Sequence, residues 1–291
     1  MPEIKIIHGD CLEIMPTLAD KSVDMILCDL PYGTTACKWD TIIPFEPLWK
    51  QYKRLIKDKG AIVLTASQPF TSALVMSNIE WFKYEYIWDK VKATGMLNAS
   101  HQPLRRHENV LIFCNGKTIY NPQKIKNPKG IEKRSLYKYQ RENEGGETVG
   151  EIKQGGVSDN YEADKLLPVS IQQFSKDNKP IHPTQKPVAL FEYLIRTYTN
   201  EGDTVLDNCA GSGTTAIACL NTNRNAILIE KDESYYKAAL DRFNRHKQQL
   251  TGDSSIVAKS DQRRMLRTGK IGIEEGRTDE EIDEEIGEQG I

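Results

Sequence analysis

Short apolar runs alternate with amphipathic segments over the first 115 residues. Residues 4–8 and 23–28 are predicted to form buried strands, each with an aspartate at its end and with a short helical segment between them. The later elements predicted in this half are a helix over 45–59, a strand over 61–65, a helix after Pro69, and strands near 84–88 and 109–113. This half of the chain therefore alternates helix and strand.

The alternation stops after Gly116. Residues 117–161 are polar, contain two Gly-Gly pairs and show no sustained period, which predicts an irregular insertion. Alternation then resumes as a helix with an apolar stripe at 188–198, a strand at 204–206, a helix at 214–220, a strand at 226–229 and a helix from Glu233.

Two αβ blocks on either side of an insertion can bury their apolar faces best by contributing strands to one shared sheet. We predict an α/β fold with a doubly wound, mostly parallel sheet that binds ligands at the carboxyl ends of its strands. Four acids lie at such ends: Asp10, Asp29, Asp207 and Glu230. The predicted organisation is 1–116 as the first half of the αβ domain, 117–180 as the insertion, 181–250 as the second half, and 251–291 as a polar, acidic tail.

Composition adds an uneven charge to this picture. The net charge is −2, but residues 273–291 carry nine acids against one arginine, so the rest of the chain is basic. Residues 117–141 hold eight Lys or Arg against one acid, with three tyrosines between them. This composition is typical of a phosphate-binding surface, and also of a solvated lysine-rich loop.

Membrane, secreted and metal-binding classes are disfavoured. The longest apolar runs are far shorter than the roughly 20 residues of a membrane span, and the N-terminus has no signal-peptide pattern. The six cysteines form no C-x-x-C pair. We expect a soluble, cytoplasmic protein with reduced thiols and no metal.

A glycine-rich turn follows the predicted strand 204–206. In the segment 207–216, DNCAGSGTTA, a strand enters a tight turn and then a helix, and Glu230 ends the next strand. Such a turn lets the backbone approach a cofactor, and the acid can hold ribose hydroxyls. The segment fits both a nicotinamide and an adenosyl cofactor, and a tight connection without any ligand also needs glycine.

A second motif, Asp29-Leu-Pro-Tyr32, lies at the exit of the strand 23–28. It resembles the D-P-P-Y motif of S-adenosylmethionine-dependent amino methyltransferases. With the segments 182–187 (HPTQKP) and 210–215 (AGSGTT), it resembles the β arrangement of DNA adenine-N6 or cytosine-N4 methyltransferases, in the same motif order. Chance agreement of three motifs is improbable. Taken alone, the first motif is also an ordinary Pro-Tyr turn after a strand.

The resemblance implies a Rossmann-like methyltransferase fold in which the insertion recognises the target. It also implies S-adenosylmethionine as cofactor, double-stranded DNA as substrate, base flipping, a homodimer and a cognate restriction endonuclease. Two departures from the family pattern are Leu30, in place of the first proline, and Asn208-Cys209, in place of Pro-Phe. Neither removes a required side chain, because Leu30 acts through its backbone carbonyl.

The chemistry of the motif agrees with the resemblance. An exocyclic amine on a base is a poor nucleophile because its lone pair is delocalised into the ring. The Asp29 carboxylate and the Leu30 carbonyl can each accept one N–H and localise that lone pair. Pro31 stiffens the turn, and Tyr32 is predicted to stack on the extruded base.

The predicted site residues fall into three groups. The catalytic residues are Asp29, Leu30, Pro31 and Tyr32. The cofactor-binding residues are Asp10, Cys11, Asp29, Thr184, Gln185, Lys186, Asp207, Ala210, Gly211, Gly213, Thr214, Thr215, Glu230 and Lys231. The DNA-binding residues are Lys38, Trp39, Arg105, Arg106, Lys124, Lys126, Lys129, Lys133, Arg134 and Lys138. Asp10 fits equally well as a helix N-cap, and Thr184 also fits as a cap before the helix at 188.

We therefore expect a site-specific DNA methyltransferase acting on adenine N6. The family pattern favours adenine because the motif begins with Asp29. A cytosine-N4 enzyme is the nearest alternative. A nicotinamide-dependent oxidoreductase leaves the Asp29 motif and the basic insertion without a purpose, and a protein or RNA methyltransferase has its motifs in the opposite order. A non-catalytic DNA-binding module is the remaining alternative.

Overall fold

The computed structural model describes residues 1–35, 40–126, 165–176 and 185–252. Several predicted site residues lie outside this range: Lys38, Trp39, Lys129, Lys133, Arg134, Lys138 and Thr184. Most of the predicted insertion and almost all of the acidic tail also lie outside it. Within the described part, no helix is both long and apolar enough to cross a membrane.

The described elements follow the predicted alternation. The strands are β1 (Ile4–His8), β2 (Val23–Asp29), β3 (Ile56–Ala66), β4 (Phe82–Thr94), β5 (Arg105–Phe113), β6 (Ile125–Lys126), β7 (Lys165–Leu166), β8 (Ile171–Gln173), β9 (Thr204–Asp207) and β10 (Asn225–Glu230). The helices are α1 (Cys11–Ile14), α2 (Phe45–Leu55), α3 (Phe70–Ser77), α4 (Val188–Tyr198), α5 (Thr214–Asn221) and α6 (Glu233–Thr251). Short 3₁₀ turns follow α1 and β4.

Eight of these strands form one sheet in the order β1-β10-β9-β2-β3-β5-β4-β8. All neighbouring pairs are parallel except those made by β5, which runs antiparallel to both β3 and β4. The two αβ blocks meet where β9 pairs with β2. The predicted single, mostly parallel sheet is therefore confirmed, and the ends of β2 and β9 lie side by side.

Helices cover both faces of the sheet. Along β2, Met25 and Leu27 pack with α4, α5 and α6, whereas Ile26 and Cys28 pack with α1, α2 and α3. All four side chains are fully buried. A strand whose alternate side chains are buried on opposite faces reads as a continuous apolar run, which is why the sequence revealed β2 clearly.

Two parts of the fold differ from prediction. The helix predicted over 45–59 ends at Leu55, because Ile56 turns to an extended conformation and pairs with Val23 of β2. The next residue, Lys57, bonds Asp24 with its ammonium group at 2.8 Å. The second difference is β8, which lies within the predicted irregular insertion and extends the sheet beside β4.

Candidate functional site

A cavity of about 870 Å³ opens at the carboxyl ends of the parallel strands. The four acids predicted at strand ends, Asp10, Asp29, Asp207 and Glu230, all line it. Further predicted residues that line it are Cys11, Leu30, Pro31, Tyr32, Arg105, Gln185, Lys186, Ala210, Gly211, Thr214 and Lys231. Residues separated by more than two hundred positions in the chain thus share one site, because parallel strands end at the same edge.

Asp29 ends β2 and is held by three described side chains. Its Oδ1 accepts hydrogen bonds from the hydroxyls of Tyr32, at 2.7 Å, and of Thr65. Its Oδ2 accepts from the Lys186 ammonium at 2.6 Å. An ionised carboxylate offers about four acceptor positions. Among the described residues, three positions are therefore used and one on Oδ2 remains, on a side chain that lines the cavity.

Lys186 connects Asp29 to a second buried acid. Its ammonium group lies 3.4 Å from Glu108 Oε2, and Glu108 Oε1 lies 3.2 Å from the Lys90 ammonium. The side chains of Lys90 and Lys186 are only 5% and 7% exposed. Burial by itself lowers the pKa of Lys186, but the charges of Asp29 and Glu108 outweigh it, so the pKa lies above its usual value.

Sequence reasoning missed Glu108 and Lys90. Both line the cavity, together with Trp88 of β4. They belong to the antiparallel pair of β4 and β5. The other acids were predicted because they follow the carboxyl ends of parallel strands, and Glu108 and Lys90 do not. One signal was available, because Glu108 is the first acid after an acid-free run over 90–107, directly before a buried strand.

Tyr32 contacts both Asp29 and the buried aromatic ring of Phe70. Its ring stacks on Phe70 with centroids 5.3 Å apart, and the Lys186 ammonium lies 5.5 Å from the ring centroid. Burial, followed by the charges of Asp29 and Glu108, raises the pKa of Tyr32 well above its usual value. The hydroxyl therefore stays protonated and donates to Asp29. Stacking of a base on Tyr32 stays a prediction.

The glycine turn divides into two roles. Gly211 lines the cavity in a left-handed conformation, with φ +50° and open space where a Cβ would stand. Gly213 also has positive φ, but its Cβ would meet Ala239 of α6 at 3.0 Å. Gly213 therefore serves helix packing. Neither Gly213 nor Thr215, which were predicted to bind cofactor, is among the residues lining the cavity.

Asp207 stabilises this glycine turn through hydrogen bonds to its two ends. It accepts from the Thr215 hydroxyl and from the Cys209 backbone N–H, the latter at 3.1 Å. Asp207 is only 3% exposed. Burial raises the pKa of Asp207 to about 6.

Glu230 and Asp10 lie at the far end of the cavity. Glu230 accepts from the backbone N–H groups of Gly211 at 2.7 Å and Asp232 at 2.8 Å. Asp10 caps α1 by accepting from Leu12 N at 2.8 Å, and it also bonds the Lys231 ammonium at 2.9 Å. That hydrogen bond to Lys231 is the main cause of the lowered pKa of Asp10. The N-cap reading of Asp10 is correct, and its side chain also lines the cavity.

The described residues predicted to bind DNA are dispersed. Arg105 lines the cavity. Arg106 forms a two-pronged ion pair with Asp89 at 2.7 and 2.8 Å. Lys124 and Lys126 belong to the region of β6 and do not line the cavity. DNA contact by these four residues stays a prediction.

Comparison with known proteins identifies the family. The N6/N4 methyltransferase family model, described as DNA methylase, matches residues 23–241. The Type II methyltransferase M1.MboII of Moraxella bovis is 29% identical over 265 residues, covering 82% of this chain and 96% of that protein. The DNA adenine methyltransferase YhdJ of Escherichia coli (strain K12) is 28% identical over 259 residues, covering 82% of each.

A solved structure agrees with these relatives. The crystal structure of the M1.HpyAVI–SAM complex superposes with a TM-score of 0.56 and 28% identity, covering 82% of this chain and 99% of that one. The predicted Rossmann-like methyltransferase fold is thereby confirmed. Since the family model also spans most of the chain, both αβ blocks and the Asp29 motif included, the chain belongs to the N6/N4 DNA methylase family.

Proposed function

We propose that this DNA methyltransferase transfers a methyl group from S-adenosylmethionine to N6 of an adenine that is flipped out of a specific duplex sequence. The observation that carries the proposal is the setting of Asp29. Three donors orient its carboxylate, and the acceptor position left on Oδ2 lies in a cavity large enough for a base beside a cofactor. A duplex base reaches such a cavity only by leaving the stack.

The two acceptors of the motif act on the target amine. Asp29 Oδ2 and the Leu30 carbonyl each accept one N–H, which draws the nitrogen toward a tetrahedral geometry and frees its lone pair. The bound cofactor supplies an electrophilic methyl group. As the N–C bond forms, the bond between the methyl carbon and the sulfonium sulfur breaks and a neutral thioether leaves. The nitrogen gains positive charge, and the Asp29 carboxylate stabilises that charge and takes the released proton.

Lys186 and Glu108 give Asp29 a fixed position and a balanced charge. The cluster holds two carboxylates, Asp29 and Glu108, and two ammonium groups, Lys90 and Lys186. Its formal charge is therefore zero, and the attraction between the acids and the ammonium groups offsets the repulsion between like charges. In this proposal Lys186 positions the catalytic acid, which differs from the cofactor contact that the sequence suggested.

The other end of the cavity suits the cofactor. The Glu230 carboxylate accepts from the backbone N–H groups of Gly211, Asp232 and Lys231, which leaves about one of its four acceptor positions for a ribose hydroxyl. Burial is the main cause of the raised pKa of Glu230. Gly211 leaves open space beside this acid. Glu230 and Gly211 would therefore hold the ribose, with Asp10 and Lys231 next to them.

Adenine is favoured over cytosine for two reasons. The motif begins with Asp29, and a relative of 28% identity is named an adenine methyltransferase. Duplex DNA is the proposed partner. A homodimer and a cognate restriction endonuclease stay predictions from the resemblance.

The test is to sequence DNA from cells that express the protein, with a method that distinguishes N6-methyladenine from N4-methylcytosine. We expect N6-methyladenine in one sequence context. Cells expressing Asp29→Ala should show none, and cells expressing Asp58→Ala, which changes an exposed acid far from the cavity, should match wild type. N4-methylcytosine instead would overturn the base assignment, and unmodified DNA would overturn the function.

A further inference from the structure

Two large apolar side chains stand in solvent at the turn between β4 and β5. The hairpin tip, a 3₁₀ turn over Met96–Asn98, carries Met96 at 70% exposure and Leu97 at 98%. Leu97 is the most exposed large hydrophobic residue in the described part of the chain. Single exposed apolar residues are ordinary, but an adjacent pair at the end of a long hairpin leaves more apolar surface to be covered.

The tip lies at the rim of the catalytic cavity. The hairpin residues Thr94 and Arg105, which are opposite each other in the strand pairing, both line the cavity with Asp29. Met96 follows Thr94 by two residues, so their Cα atoms are within about 7 Å. Gly95, at φ +94°, turns the chain between them. The apolar pair therefore lies directly beyond the part of the cavity wall that Thr94 and Arg105 form.

The charge around the tip suits nucleic acid. Residues 90–107 contain four Lys or Arg and no Asp or Glu, and two of the four, Lys90 and Arg106, are paired with Glu108 and Asp89. Lys92 and Arg105 are exposed. Cations that surround an apolar point match a duplex, in which phosphates lie outside and base steps inside. An apolar protein surface would have no need of this charge.

We propose that Met96 and Leu97 enter the duplex at the target site and fill the space that the flipped base leaves in the stack. The proposal rests on the proposed function, because it requires a flipped base. Flipping costs a few kcal/mol in lost pairing and stacking, and an inserted apolar wedge offsets part of that cost. The wedge therefore helps to open a paired site and is not needed where the base is already unpaired.

The experiment compares two substrates. The double variant Met96→Ala/Leu97→Ala is assayed on a duplex containing the mapped recognition sequence, and on the same duplex with a mismatched base opposite the target. We expect kcat/KM to fall about 10-fold or more on the paired duplex and to stay within about twofold of wild type on the mismatched one. The fluorescence of 2-aminopurine at the target position should rise less with the variant.

Met76→Ala is the matched control, because Met76 is also 70% exposed but lies on α3, none of whose residues lines the cavity. It should leave both rates unchanged. Equal losses on the two substrates, or no loss on either, would overturn the wedge. So would a loss of self-association in the double variant, which would make the tip an interface between copies. Wild-type protein without activity on any DNA would instead refute the proposed function.

Discussion

Two aspartates of the cavity end neighbouring strands and serve opposite purposes. Asp29 ends β2 and Asp207 ends β9, and both line the cavity. The side chain of Asp29 is 24% exposed and is held by an ammonium and two hydroxyls. Asp207 is almost fully buried, and its described donors are a hydroxyl and a backbone N–H.

The difference shows how the neighbouring groups of a carboxylate determine its role. Beside Lys186, Asp29 is compensated as an anion and keeps an acceptor position for a substrate. Burial raises the pKa of Asp207 to about 6, so its ionisation at neutral pH costs stability. Asp29, which is proposed to bind the substrate, is paired with a cation, whereas Asp207, which stabilises a turn, is hydrogen-bonded by neutral donors.

The sharpest test of this contrast is Asp29→Ala, with Asp207→Asn as the comparison. Loss of the Asp29 acceptor should lower kcat by about 10³-fold or more, because both orientation and charge stabilisation are lost. Binding of S-adenosylmethionine, measured by calorimetry, should change little. Asp207→Asn should retain most of kcat at saturating cofactor. Comparable rates for Asp29→Ala and wild type would disprove the mechanism.

Removal of the cation should have the next largest effect. Lys186→Met removes the cation that lies between the partly buried acids Asp29 and Glu108, and should lower kcat by about 10²-fold. The double variant Lys186→Met/Glu108→Gln removes one of these charges and should recover part of that loss. Lys237→Met, which deletes an exposed lysine that does not line the cavity, is the control. Strictly additive effects of the two substitutions would argue against a coupled charge cluster.

The raised pKa of Asp207 predicts a pH-dependent stability. Because its folded-state pKa is about 6 and an unfolded Asp has about 3.9, the folded state holds the proton more tightly. This contribution is present below about pH 4 and is lost as pH rises through 6. The free energy of unfolding of wild type relative to Asp207→Asn should therefore fall by about 2 kcal/mol from pH 4 to 7.

Urea unfolding followed by circular dichroism at several pH values measures this difference. Asp58→Asn is the control, because the hydrogen bond from Lys21 lowers the pKa of Asp58. The stability that Asp58 contributes is therefore lost as pH falls, which is the opposite direction. A pH-independent difference between wild type and Asp207→Asn would mean that Asp207 is not buried as described.

The smallest effect is expected at the cofactor end. Glu230→Gln keeps one acceptor oxygen but removes the charge, so the affinity for S-adenosylmethionine should fall about 10-fold. The kcat at saturating cofactor should stay close to that of wild type, in contrast to Asp29→Ala. Equilibrium binding and steady-state kinetics together separate the two. A lower kcat with unchanged affinity for S-adenosylmethionine would indicate that Glu230 acts in methyl transfer and does not bind the cofactor.

Sequence alone determined the order of the elements and the edge of the sheet that carries the site. Apolar runs such as 23–28 reveal strands because burial on two faces is a local property, visible in neighbouring side chains. Acids placed directly after such runs, Asp29 and Asp207 among them, come together because parallel strands end at one edge. The end of α2 was missed because strand pairing between Ile56 and Val23 overrides a helical pattern.

Only the tertiary structure decided which charges meet. Lys186 lies 157 positions from Asp29 in the chain, and Glu108 reaches Lys186 from an antiparallel strand. No period or spacing encodes such pairs, because they depend on how β4, β5 and the segment before α4 pack over the sheet. The same holds for Gly213, whose motif suggested cofactor approach but whose neighbour is Ala239 of α6. Local patterns state what a residue can do, and packing across the chain selects its partner.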